Sequence, residues 1–114
     1  MIDPGILVGI GGAVGALLRY AVYELMPVEE YPLATLVVNV VGSFVLGVVI
    51  FADMGEGVLA FVGVGVCGAF TTYSTFAVDT VRLWERGDVL YAIGHAVLNL
   101  LASLAAIGLA WILV

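Results

Sequence analysis

Four apolar stretches, each long enough to cross a lipid bilayer, account for almost the whole of this 114-residue chain. They cover about residues 5–23, 33–52, 57–78 and 89–114, and a helix needs about 20 apolar residues to span a hydrocarbon core. Charged residues make up 11% of the sequence, against about 25% in an ordinary soluble domain. The connections between stretches are too short to hold a soluble domain. The pattern predicts one all-α integral membrane domain, residues 1–114, with four transmembrane helices. The first stretch opens on Asp3 with no basic cluster and no small-residue cleavage site, so it reads as a span and not as a signal peptide.

The third stretch contains a run that a lipid-facing helix would not carry, Gly68-Ala69-Phe70-Thr71-Thr72-Tyr73-Ser74-Thr75-Phe76. Its five consecutive hydroxyl residues cannot share one face of a helix that turns by about 100° per residue. Polar groups at membrane depth are tolerated where they are buried in protein or line a cavity. Gly63, Gly65 and Gly68 lie just before the run. The third helix is therefore expected to break near its middle and to present backbone and side-chain oxygens to something other than lipid. Membrane proteins build ion sites in this way.

Charge narrows the partners. The chain has no lysine, three arginines and nine acids, for a formal net charge of −6. Without a basic patch to bind phosphates, nucleic acid is not an expected partner. Glu24, Glu29, Glu30, Asp53, Glu56, Glu85 and Asp88 fall in or beside the connections, where carboxylates stay hydrated. An acid-rich, lysine-free exterior also suits a high-salt cytoplasm and points to a halophilic prokaryote. Cys67, the only cysteine, excludes an intrachain disulfide and a site of several thiolates, and reads as a small packing residue.

Four spans place both termini and the second loop on one side and the other two loops opposite. Pro27 and Pro32 bracket the first loop, Gly55 and Gly57 flank the second, and Arg86-Gly87-Asp88 form the third. Arg19, Arg82 and Arg86 then lie toward one side, which the positive-inside rule assigns to the cytoplasm. A margin of two or three arginines is small enough to permit insertion in both orientations. Gly11 and Gly15 form a small-xxx-small pair that lets helices approach closely. Four short helices scarcely enclose a pore alone, and a dimer is the simplest assembly that would.

Polar residues recur every fourth position on two helices, Thr35, Asn39 and Ser43 on the second and Tyr91, His95, Asn99 and Ser103 on the fourth. That spacing stacks each set into one stripe. Such residues serve either as interhelical glue or as a hydrated, ion-lining track, and two aligned stripes beside a broken helix favour the track. Arg19 either snorkels to the interface or draws anions into a vestibule. Asp79 reads as a helix-end carboxylate, paired with Arg82 or Arg86 in the plainest case. No acid lies within the first, second or fourth helix to bind a cation. His95 reads as a neutral hydrogen-bonding group more readily than as a proton relay. Phe70, Tyr73 and Phe76, three apart, could pack on one face or turn positive ring edges toward an anion.

The chain resembles the Fluc (CrcB-type) family of fluoride ion channels. The resemblance is carried by Gly11-Gly12-Ala13-Val14-Gly15-Ala16 with Arg19-Tyr20, by Asn39-Val40-Val41-Gly42-Ser43-Phe44, and by the run from Gly68 to Phe76, in that order across four short spans. It implies a dual-topology antiparallel dimer in the cell membrane with two narrow fluoride pores. By this likeness Asn39 hydrogen-bonds fluoride, Tyr73 and Phe76 line the pores with ring edges, and Ser74 and Thr75 donate hydroxyls. Ser43, Thr35, Asp79, His95, Asn99 and Ser103 extend the polar track, and Arg19 faces a vestibule. Carbonyls of Gly68 and Thr71 from both subunits hold a central structural Na⁺. The chain departs from the family pattern at Tyr73, where Phe is usual, at Asp79, where Glu is common, and at His95, where an aromatic hydroxyl is expected. Some members work as pairs of related subunits, so the partner is either a second copy or a paired homologous subunit.

The expected function is passive export of cytoplasmic fluoride, with no bond made or broken and hence no enzyme activity. A small multidrug-resistance-type exporter shares the length, span number and dual topology, but handles cations through a glutamate in its first helix, where this chain has Arg19. A non-transporting assembly subunit, with the stripes as glue alone, is the third class.

Overall fold

The computed structural model describes residues 2–26 and 31–114. Pro27, Glu29 and Glu30, read above as first-loop residues, lie outside the described residues. Every regular element among the described residues is helical, and four helical segments are long and apolar enough to cross a membrane. Helix α1 spans Pro4–Leu25. Its start is set by Asp3, whose Oδ1 accepts the Gly5 N–H at 2.7 Å, and by Pro4 in the first turn, where a missing N–H costs nothing. Helix α2 spans Leu33–Phe51.

The third segment, Glu56–Glu85, is interrupted. Its first half, α3, comprises a turn at Glu56–Val58, a π-helical stretch Leu59–Cys67 and a turn at Gly68–Phe70. Thr71 is extended (φ −78°, ψ 162°), and the helix restarts as α4, Ser74–Glu85. Phe70, Tyr73 and Phe76 therefore do not share a helix face. Helix α4 ends at Gly87 (φ 87°), with Gly87 N–H donating to the Trp84 carbonyl and Asp88 N–H to the Leu83 carbonyl. This is a Schellman stop, for which glycine alone takes the left-handed position without strain. Helix α5 then runs Val89–Leu113.

The bundle is built from two close pairs, α1 against α3 and α2 against α5, with α4 also packed on α5. Glycine makes the first pair. A Cβ at Gly11 would run into the Phe61 carbonyl oxygen, and one at Gly15 into the Val66 carbonyl oxygen. From the other side, a Cβ at Gly65 would come within 2.8 Å of the Val8 carbonyl. Backbone thus lies on backbone along this seam, which is the use of small residues in lipid, where no hydrophobic force drives helices together. The second pair closes at Gly47 against Ala110. Most large side chains on the outer faces are exposed, Leu17, Leu25, Leu90 and Trp111 among them, as befits a surface that meets hydrocarbon. The chain is a multi-pass membrane protein.

Candidate functional site

Between α2, the broken segment and α5 lies an open-sided groove of about 660 Å³. Of the residues singled out in the sequence, Asn39, Ser43, Gly68, Thr71, Tyr73, Phe76, Asn99 and Ser103 line it. The α2 and α5 stripes meet here, because Asn39 Nδ2 donates to Asn99 Oδ1 at 3.0 Å. Gly42, bare of a side chain, lets the break come against α2, and a Cβ there would collide with the Thr71 methyl. At that approach Thr72 N–H donates to Asn39 Oδ1 at 2.8 Å.

This last bond orients everything beyond it. A backbone N–H can only donate, so Asn39 Oδ1 is the acceptor and its Nδ2 the donor. Asn99 must then accept through Oδ1 and donate through Nδ2, which reaches the His95 carbonyl at 2.9 Å and His95 Nδ1 at 3.1 Å. The Nδ1 atom is therefore bare, and the proton of the neutral imidazole sits on Nε2. A wholly buried side chain is thus fixed in one tautomer by a main-chain group on another helix.

The same bonds explain the break. In an unbroken helix Thr72 N–H would donate to the Gly68 carbonyl, and Thr75 N–H to the Thr71 carbonyl. Asn39 takes the first donor, and the Thr72 hydroxyl takes the second at 3.1 Å. The Gly68 and Thr71 carbonyls are left without those partners. Thr72 is buried, although Tyr73, next in sequence, is 80% exposed.

A second cavity of about 240 Å³ lies among the end of α1, the start of α2 and helix α4. Tyr31, Thr35, Thr75, Asp79 and Arg82 are among its lining residues. Thr35, 2% exposed, donates to Asp79 Oδ2 at 2.7 Å and is 2.9 Å from the Tyr23 hydroxyl. With its one proton on the carboxylate, Thr35 can only accept from Tyr23, so three residues form a wire that ends on Asp79. The plain pairing of Asp79 with an arginine gives way to this wire, and Arg86 instead forms an ion pair with Asp88 at 3.4 Å. Burial raises the Tyr31 phenol above its ordinary pKa, so it stays a donor at neutral pH.

His95 itself lines neither cavity. Its ring lies 5.1 Å from Phe76 and 5.6 Å from Tyr31, centroid to centroid. With Tyr73 beside Phe76 and Tyr91 beside Tyr31, five rings run continuously from groove to pocket. Ser74 is exposed and lines neither cavity, and Arg19 sits half-buried on α1 away from both. Sequence reasoning did not single out Tyr23, Tyr31, Thr72 or Arg82 as site residues. Thr72 stood inside the hydroxyl run, but nothing in sequence says which of five hydroxyls turns inward. Tyr23 and Tyr31 lie at or beyond a helix end, outside any stripe.

The sequence profile described as CrcB-like protein, Camphor Resistance (CrcB), matches residues 6–111. The chain belongs to the CrcB-like family. Among relatives within that family, the fluoride-specific ion channel FluC 1 of Halobacterium salinarum is 50% identical over 111 residues, 97% of this chain and 93% of its own. The fluoride-specific ion channel FluC 2 of Haloarcula marismortui is 52% identical over 105 residues, 92% of this chain and 88% of its own. The fluoride-specific ion channel FluC of Saccharophagus degradans is 41% identical over 113 residues, 93% of this chain and 85% of its own. The first two come from halophilic archaea, whose proteins face the high salt that the acid-rich composition suits.

Proposed function

We propose that this chain is a fluoride-selective channel that lets cytoplasmic fluoride leave the cell passively. The observation that carries the reading is the groove, in which donors from three helices converge on a path with no carboxylate in its lining. Near-complete coverage of relatives named as fluoride-specific channels supports it. A fluoride ion shedding water needs short, strong hydrogen bonds in return. Asn39 has a second Nδ2 proton beyond the one given to Asn99, and it lies on the groove. Ser43 and Ser103 add hydroxyls, and Tyr73 and Phe76 add ring edges of positive potential. An inside-negative potential drives the anion out by about 2.3 kcal/mol per 100 mV. The ion moves and no bond is made or broken, so the protein acts as a channel and not as an enzyme. The multidrug exporter reading loses ground, because α1 carries Arg19 within the span, and its one acid, Glu24, stands in the last turn at the helix end, not at membrane depth.

The working unit in this proposal is a pair of chains inserted antiparallel, either two copies or one copy with a related subunit. The groove is open along one side, and Val64, Gly68 and Tyr73 stand exposed at its edge, so a partner is needed to close it. The donor set fits a hard cation at the break. Gly68 and Thr71 each have a carbonyl relieved of its helical partner, and hard cations take oxygen ligands. Two oxygens per chain would become four in a pair, and Na⁺ bound there would tie the two breaks together. The groove residues remain anion donors, and Arg19 adds positive charge on α1 that favours anions at a vestibule.

The test is fluoride efflux from liposomes holding the purified chain alone, followed with a fluoride-selective electrode and with chloride as control. Rapid fluoride release without chloride release supports a self-sufficient channel. No release from folded protein, with release restored by a related subunit, supports the paired form, and no release in either case overturns the proposal.

A further inference from the structure

The first half of the broken span is wound differently from the helix it lies on. Helix α1 is an ordinary α-helix over Pro4–Leu25, whereas α3 is π-wound from Leu59 to Cys67. The α pattern holds on either side of that stretch. Leu59 N–H donates to the Gly55 carbonyl and Thr71 N–H to the Cys67 carbonyl, each at 3.0 Å. The difference shows in what the seam glycines meet. Gly11 and Gly15 are four residues apart on α1, but the carbonyls against them, those of Phe61 and Val66, are five apart on α3.

An α-helix turns by about 100° per residue, so groups five apart on it point about 140° away from each other. Winding with hydrogen bonds to the fifth residue returns such groups to one face. Gly11 and Gly15 each turn a Cα–H onto the opposing carbonyl, and Gly65 does the same in the opposite sense to the Val8 carbonyl. Contacts of this kind recur where helices lie backbone on backbone. Three of them fix both the height and the rotation of α3 on α1.

We infer that the π winding positions the helix break. Between Phe61 and Val66, α3 holds one residue more than an α-helix docked on Gly11 and Gly15 has room for, and the wider turn absorbs it. The effect passes down the chain. Beyond Val66, the last seam contact, come the Gly68 and Thr71 carbonyls and the Thr72 N–H that Asn39 accepts. With an α-wound turn in its place, all of these would swing by one residue's rotation, about 100°, and Thr72 would leave Asn39. The inference concerns how the break is aimed, and it goes beyond the question of which ion crosses the groove.

Removing the extra residue tests it. Val62 lies between the two seam carbonyls and lines neither cavity. Its deletion leaves Phe61 and the present Val66 four apart, a spacing that an ordinary α-helix keeps on one face. The protein should fold, melt close to the wild-type temperature in detergent and keep fluoride efflux within about threefold. Deletion of Val64 shortens the same turn and should melt likewise. Deletion of Val81, within the regular helix α4, restores no register and should lower the melting temperature strongly. Asn39→Ala reads the aim of the break without any ion. It should lower the melting temperature of the Val62-deleted protein as much as that of the wild type, because Thr72 still reaches Asn39. Failure of both shortened-turn variants to fold, or indifference of the folded ones to Asn39→Ala, would overturn the inference. Equal tolerance of the Val81 deletion would overturn it too, since the span would then accept shortening anywhere. A wild-type chain that passes no fluoride, alone or with a related subunit, overturns the channel reading and leaves these melting results standing.

Discussion

The Asn39 side-chain oxygen holds the Thr72 N–H at 2.8 Å, and by doing so removes the donor that the Gly68 carbonyl would have had in a continuous helix. One amide thereby makes the helix break, frees a carbonyl and orients the polar relay to His95.

Asn39→Ala should be the most damaging single change in the groove. It leaves the Thr72 N–H unpaired, at about 1–3 kcal/mol, and cuts Asn99 from the break. Fluoride efflux should fall by about a hundredfold. Asn39→Asp keeps the acceptor for Thr72 but removes the donor and adds negative charge. It should give a folded protein, by thermal melting in detergent, that conducts no better than the alanine variant.

The Tyr23–Thr35–Asp79 wire yields a pair of variants. Thr35→Val is nearly isosteric but leaves a carboxylate without its hydroxyl donor. Hydrogen bonds to charged groups are worth about 1.5–3 kcal/mol, and a lower melting temperature and slower efflux are expected. Thr35→Ser should restore both to near the wild-type values.

Glycines on α1 should divide sharply by position. Gly11→Ala and Gly15→Ala put a methyl group into the Phe61 and Val66 carbonyls, a contact that only separation of the two backbones relieves, and overpacking of this kind costs about 1–3 kcal/mol. Gly9 and Gly12, on the same helix, have open space where a Cβ would go. Alanine there should be tolerated and should add about 0.5–1 kcal/mol of helix stability. Melting curves of the four variants check the division.

Replacing sodium by N-methylglucamine throughout purification should lower the melting temperature of the assembled protein and shift its elution toward the single chain. Thr72→Val should weaken the sodium dependence. It removes the hydroxyl that holds Thr75 N–H, a cap worth about 0.5–2 kcal/mol, and returns that N–H to the Thr71 carbonyl. Melting with and without sodium distinguishes this from a simple loss of stability.

The helices were legible because membrane spans are written in composition: a 20-residue apolar stretch has few other folds available. The break was legible for the complementary reason, that hydroxyls at every angle around a helix leave no face for lipid. The α2 and α5 stripes were readable from four-residue spacing, and Asn39 and Asn99 do bond to each other. Sequence could not reveal contacts between elements at different depths. Thr35 reaches Asp79 across 44 positions, and no periodicity connects them. Nor could it distinguish an ordinary helix from the π winding at Leu59–Cys67, since apolar residues and glycines satisfy both. Tyr31 needed the folded chain to bring it beside His95.

The direction of the Asn39–Asn99–His95 relay bears on which ions are refused. A free side-chain amide is ambidextrous: turned over, it offers oxygen in place of nitrogen and so welcomes a cation as readily as an anion. Here the first amide is clamped by a peptide N–H, which has no lone pair to give, and the second is clamped by the first. Neither can turn without breaking the chain of bonds at the helix break. In the proposed anion channel, rejection of cations would thus rest on the main chain itself, at a place where no exchange of side-chain conformers can undo it.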